Sequence, residues 1–190
     1  MKERDFEPID WRKLDRSPFC LFAEDWTLIT AGGAEGGAEG GAEGGAGETG
    51  GWNTMTASWG GLGQLWNRDV AFIFVRPSRH TFGFLEGNEG FSLSFFGPEM
   101  RNALEVCGSV SGRDTDKAAA AGITPISLSS KGRAWTSFAE ARLVIACTKA
   151  YSQDMDPANF IDPSIPRNYP ANSDYHRMYV GTIEAAWARP

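Results

Sequence analysis

Val70-Ala71-Phe72-Ile73-Phe74-Val75 runs without a break into Arg76-Pro77-Ser78-Arg79-His80-Thr81. The first half is unalternating, apolar and rich in β-branched and aromatic residues. It reads as a β-strand, and its lack of alternation predicts burial on both faces. The second half releases two guanidinium groups and two hydroxyls from one strand end. A guanidinium presents a planar fork of donors that suits a phosphate better than the point charge of lysine does. A phosphate monoester carries nearly two negative charges and accepts at every free oxygen. The segment therefore marks an anion pocket built into a β-rich domain. The plain alternative is a solvated arginine pair.

Outward from this stretch the chain keeps a β-rich pattern. Strands are expected over Trp52–Trp59, Phe91–Phe96, Trp135–Phe138, Arg142–Tyr151 and Tyr175–Trp187, the last bent at Gly181. Phe19–Thr30 reads as two short strands or one bent strand. Short helices are expected at His80–Leu85, at Pro98–Cys107 behind its proline, and at Asp116–Ala121 ahead of Gly122. Residues 9–14 suit one or two helical turns, and the prolines at 157, 163, 166 and 170 mark an irregular stretch. This order, without long helices alternating with strands, predicts a mainly β barrel or an α+β domain rather than a doubly wound sheet. The chain is 190 residues long, which suits a single domain spanning 1–190.

One segment breaks the pattern. Gly32-Gly33-Ala34-Glu35 recurs at 36–39 and 40–43 and decays by Gly47. A period of four residues is too short for a solenoid unit. The segment at about 32–50 reads as a flexible loop, either a slippage expansion or a lid. It lacks the Gly-Lys-Ser/Thr ending of a phosphate loop.

Composition removes several function classes. A net charge of −6 disfavours nucleic acid as a partner. The longest strongly apolar run, 70–75, is far too short for a membrane helix, and the N-terminus has no apolar signal core. The three cysteines, Cys20, Cys107 and Cys147, form no close pair and predict reduced thiols in the cytoplasm. Two histidines, His80 and His176, make no metal cluster, so no metal is expected. No nucleophile elbow, zinc-protease helix or dinucleotide fingerprint is present. If the chain is an enzyme, its reactive group belongs to a cofactor.

Three further segments carry polar chemistry. Asn53-Thr54-Met55-Thr56-Ala57-Ser58-Trp59-Gly60-Gly61 is a strand of small residues that lets a flat polar ring approach the backbone. It equally suits a half-exposed strand with threonines facing water. Ser111-Gly112-Arg113-Asp114-Thr115-Asp116-Lys117 leads into a helix start, either as an anion site or simply with Asp114 or Thr115 as cap. Asp174-Tyr175-His176-Arg177-Met178-Tyr179 carries the second histidine.

Taken in order along the chain, these segments, with Leu93-Ser94-Phe95-Phe96 and Tyr175 through Gly181, resemble the flavin reductase-like family of FMN-binding split barrels, especially its flavoredoxin-like branch. The similarity runs from about Phe19 to Trp187 apart from the repeat. It implies a Greek-key split β-barrel and a homodimer holding FMN near the subunit interface. By the same resemblance Asn53, Thr54, Met55, Thr56, Ala57, Ser58 and Trp59 meet the flavin, while Arg76, Ser78, Arg79 and Thr81 hold its phosphate. Ser111 and Lys117 assist there, and Ser94 and Phe95 lie along the ring. The flavin carries the chemistry, with His176 and Tyr169 near its open face. The implied activity is electron transfer from NADH or NADPH through FMN to free flavin or another small acceptor. The alternative is an FMN electron carrier serving a redox protein partner.

Overall fold

The computed structural model describes residues 5–33, 51–169 and 173–189. Its strands are β1 (Glu7–Pro8), β2 (Thr27–Gly32), β3 (Trp52–Ala57), β4 (Gly60–Leu65), β5 (Arg68–Val75), β6 (Gly90–Phe95), β7 (Pro125–Ser130), β8 (Arg133–Phe138), β9 (Leu143–Asp154) and β10 (Arg177–Ala188). Its helices are α1 (Pro18–Cys20), α2 (His80–Gly87), α3 (Arg101–Ser109) and α4 (Lys117–Ala121). The tetrapeptide repeat beyond Gly33 lies outside the described residues.

All strand pairs are antiparallel, and the main sheet runs β3-β2-β6-β9-β10-β5-β4, with β1 added to the end of β10. The two ends of that path, β3 and β4, are joined through Ser58 and Trp59 alone. So short a link forces the sheet to curl until its ends meet. Ile29, Met55, Ile73, Leu93, Ile145 and Tyr179, from six different strands, share the interior cluster. The opposite face of β2 and β9 (Leu28, Val144, Ala146) packs under α3, α4 and the β7–β8 hairpin. A period of two along each strand produces this division.

Several expectations need correction. Pro18–Asp25 is helical, not extended: α1 runs into a wide turn over Leu21–Asp25. Proline favours the first helical position, and the turn drives Leu21 and Phe22 into the barrel, where Phe22 meets Phe95 edge-on at 5.6 Å. Asp25 fixes the turn by pairing with Arg16 and Arg142. The glycine run after Trp59, for which no strand was expected, forms β4. Trp66 and Asn67 take φ of 52° and 56°, the left-handed pair of a two-residue hairpin turn. Lys131 and Gly132 do the same between β7 and β8. In β5, Val70, Ala71, Ile73 and Val75 are buried whereas Phe72 and Phe74 are only half-buried, so one face of this strand is partly open.

At Gly181, where a bend was expected, the register of β10 against β9 slips. A Cβ there would sit 2.6 Å from Phe91 Cζ and 2.7 Å from Cys147 Cβ, inside the barrel wall. Gly181→Ala is expected to destabilise the protein by about 1–3 kcal/mol through overpacking. Chemical denaturation checks this, and an unchanged midpoint would contradict it.

Candidate functional site

The turn after β5 is built by its own sequence. Pro77 fixes φ one residue after Arg76, and the Arg76 carbonyl accepts the Arg79 N–H at 3.0 Å. The Ser78 N–H takes no part in that bond and, with the Ser78 hydroxyl, is left for a partner outside the turn. Antiparallel pairing sets Arg177 opposite Val75, so the residues that precede β10 arrive beside this turn.

A cavity of about 370 Å³ opens there. Its wall includes Met55 to Trp59 from the end of β3, Phe74 and Arg76 from β5, Ser78 and Arg79, Gly108 at the end of α3, and Asp174 and His176. Small-molecule sites span about 300–1,000 Å³, so the volume suits a small ligand. β3 pairs with β2 alone, as an end strand of the path, so its other edge is not closed by a neighbouring strand.

The cations are gathered by α3. Arg79 Nη2 donates to the Gly108 carbonyl at 2.8 Å, and Lys117 Nζ donates to the Cys107 carbonyl at 2.9 Å and to the Thr54 carbonyl at 2.8 Å. Carbonyls at a helix C-terminus lack intrahelical partners and carry partial negative charge, which favours cations. Burial, with repulsion from Arg79, pulls the Lys117 amine down to about 8. Burial and Arg76 also lower the Arg79 guanidinium. Arg76 donates to the Asn168 carbonyl at 3.1 Å and lies 5.4 Å from the centre of the Tyr169 ring. Among the described residues, neither Arg76 nor Arg79 forms an ion pair, whereas Arg16, Arg142 and Arg177 all do. The Ser78 donors are engaged by Asp174: its Oδ1 accepts the Ser78 N–H at 3.0 Å, and its Oδ2 accepts the hydroxyl at 2.6 Å.

His176 is buried and stays neutral. Burial, then the Arg76 charge, lowers it to about 4, with Asp174 opposing. Its Nδ1 shares a hydrogen bond of 2.9 Å with Tyr169 Oη, and its ring stands 5.2 Å from that of Trp59. Burial raises the Tyr169 phenol, which therefore keeps its proton at neutral pH.

Other anticipated residues stand behind or away from the cavity. Asn53 and Thr81 are buried and joined by an Asn53 Nδ2 to Thr81 Oγ1 bond of 2.8 Å. Thr54 is fully buried and bonded to Thr30 and to the Ile29 carbonyl. Ser111 belongs to the loop that packs on β3, where a Cβ on Gly112 would fall 2.1 Å from Asn53 Oδ1. The Ser111 hydroxyl accepts the Arg113 N–H and does not line the cavity. α4 is capped by Asp116, not by Asp114 or Thr115.

Ser94 and Phe95 do not lie along the cavity. Alternation on β6 turns Phe95 into the barrel core and Ser94 onto Ser137 Oγ at 3.0 Å. Phe74 and Gly108 line the cavity without a role having been read for them from sequence, and Asp174 was noted only as the first residue of the histidine segment. All three cysteines are free, and burial raises the Cys107 thiol to about 11. Among the described residues there is no cluster of three metal-ligating side chains, and no helix is long and apolar enough to cross a membrane.

Solved structures carry the same fold. The FMN-binding domain of a flavin reductases-like enzyme from Shewanella baltica OS155 superposes with a TM-score of 0.62 at 14% identity, over 97% of this chain and 77% of that one. Flavoredoxin from Methanosarcina acetivorans gives 0.60 at 20% identity, over 86% and 68%. An FMN-binding protein from Thermus thermophilus with bound 1-cyclohex-2-enone gives 0.59 at 18%, over 95% and 80%. No family model and no curated protein matches the sequence. The chain thus has the split-barrel fold of the FMN-binding flavin reductase-like proteins, as the sequence resemblance implied.

Neutral His176 gives a pH test. Its unfolded pKa of about 6.5 lies above its folded value, so between the two only the unfolded chain binds the proton. Stability contributed by the neutral ring is present above that window and is lost as pH falls from about 6.5 to about 4. Asp174, Arg76 and Tyr169 are unchanged in His176→Gln. This variant should lose less stability over that range than wild type, by on the order of 2 kcal/mol. Chemical denaturation at stepped pH reads the difference, and parallel profiles would contradict it.

Proposed function

We infer that the cavity binds FMN through its phosphate and that the protein is an FMN-dependent oxidoreductase. It draws electrons from NADH or NADPH and passes them to free flavin or another small acceptor. The observation that carries this reading is the Arg76–Arg79 turn. Two guanidinium groups without ion pairs flank a serine whose N–H and hydroxyl already hold a carboxylate, an anion in the place of a phosphate oxygen pair. The fold supports it, since the Shewanella, Methanosarcina and Thermus proteins are FMN-binding proteins or flavoredoxins by name.

Bound flavin would supply the two-electron chemistry. The chain's own residues bind and orient. Arg76, Ser78 and Arg79 hold the phosphate, with Thr81 and Asn53 bracing the turn from behind. Met55, Thr56, Ala57 and Ser58 form a low wall on which a planar ring can lie. Lys117 ties that wall to α3 through the Thr54 and Cys107 carbonyls rather than meeting the phosphate directly. Neutral His176, held by Tyr169, presents an uncharged polar edge at the rim with Trp59. The reading includes one domain over 1–190, a homodimer and a cytoplasmic setting; the free thiols suit a reducing compartment.

Titration of the flavin-free protein with FMN, followed by flavin fluorescence, tests the phosphate site. Wild type should bind, and Arg79→Glu should weaken binding by about a hundredfold, because a charge-assisted donor becomes a repelling carboxylate. Equal affinity in the two proteins would contradict the assignment. Steady-state oxidation of NADH and NADPH with free flavin as acceptor tests the reductase half. FMN binding without turnover of either nucleotide would make the protein an electron carrier for a redox partner instead.

A further inference from the structure

Asp174 makes contacts that its surroundings do not require. It is half-buried and lines the cavity together with Arg76 and Arg79, yet it forms an ion pair with neither. Its two oxygens instead straddle one serine, one on the backbone N–H and one on the hydroxyl. Its backbone holds φ of 60°, in the left-handed region that a residue with a Cβ adopts at some cost. Ser78 itself is exposed, so water would satisfy both donors if the carboxylate left. Two charge-assisted hydrogen bonds are thus spent on donors with no burial to relieve. The same carboxylate raises the proton affinity of Arg79 and His176, which places its charge within the field of the whole cavity.

We propose that Asp174 is an internal competitor for the phosphate subsite: its carboxylate fills the Ser78 donors and must be displaced when a phosphate monoester binds. This deepens the reading of the cavity as an FMN site and rests on it. The turn cannot hold both anions, because Ser78 has one N–H and one hydroxyl proton. Binding is therefore an exchange of one anion for another. A ligand wins it by bringing more charge to Arg76 and Arg79 than a carboxylate does. A dianionic phosphate meets that condition, and an uncharged flavin has nothing to exchange. The aspartate thus lowers affinity for FMN while leaving flavins without phosphate unaffected, so it sets how readily FMN is released.

The test titrates wild type, Asp174→Asn and Asp174→Gly with FMN and, separately, with riboflavin, using flavin fluorescence. Asparagine and glycine both accept the left-handed backbone, so the turn before β10 keeps its course. Asparagine keeps weaker, uncharged acceptors, and glycine removes them. Affinity for FMN should rise about tenfold in Asp174→Asn and further in Asp174→Gly, with riboflavin affinity within about twofold of wild type. Circular dichroism confirms folding of each variant, and either folded variant suffices. Unchanged or weaker FMN binding in a folded variant would overturn the proposal and make Asp174 an organiser of the turn. Equal tightening for riboflavin would overturn it too. In both cases the loss of FMN affinity in Arg79→Glu would leave the assignment of the cavity standing. Failure of wild type and both variants to bind FMN would remove the two together.

Discussion

The antiparallel pairing of β5 with β10 is the constraint on which the site depends. It sets Val75 opposite Arg177, so the chain leaving β5 and the chain entering β10 occupy one end of the barrel. The first brings Arg76, Ser78 and Arg79, and the second brings Asp174 and His176. The link from β3 to β4 then closes the barrel and delivers Met55 to Trp59 to the same end. Three separate segments meet there because the strand pairing brings their ends together.

Electrostatics at that end is organised by main-chain groups more than by side-chain pairs. The last carbonyls of α3 receive Arg79 and Lys117 and offset the repulsion between the two cations across a partly buried space. Burial lowers the Lys117 amine, and it donates to one carbonyl of β3 and one of α3. It acts as a bolt between sheet and helix, while Arg76 and Arg79 retain donors for a ligand. Among the described residues Asp174 supplies the one carboxylate in the cavity wall, and it rests on Ser78 rather than on the arginines.

The strand at 70–75 and its donor-rich end were legible in the sequence because both signals are local: an apolar run, then proline fixing a turn among arginines. The helices at 80–87 and 117–121 were legible for the same reason, the second from its alanine run and its glycine stop, although its cap is Asp116 and not Asp114 or Thr115. β4 and β7 were not, since their glycines and serines carry little strand propensity, and pairing with β5 and β8 holds them. Leu21 and Phe22 looked like strand residues because burial of an apolar pair does not reveal the backbone that buries it. Ser94 and Phe95 failed for a geometric reason. A strand motif does not state which face meets the ligand, and here β6 is covered on both. Asp174 was invisible as a ligand-side residue because its role arises from a contact to Ser78 across 96 positions of sequence.

The central claim is that the turn from Arg76 to Arg79 is a phosphate cradle. A crystal structure of the protein grown with FMN tests it most directly. The account predicts the phosphate on the Ser78 N–H and hydroxyl, within reach of Arg76 and Arg79, the flavin ring along Met55 to Ser58, and Asp174 turned off Ser78. FMN bound elsewhere, with the Asp174 carboxylate still seated on Ser78, would contradict it.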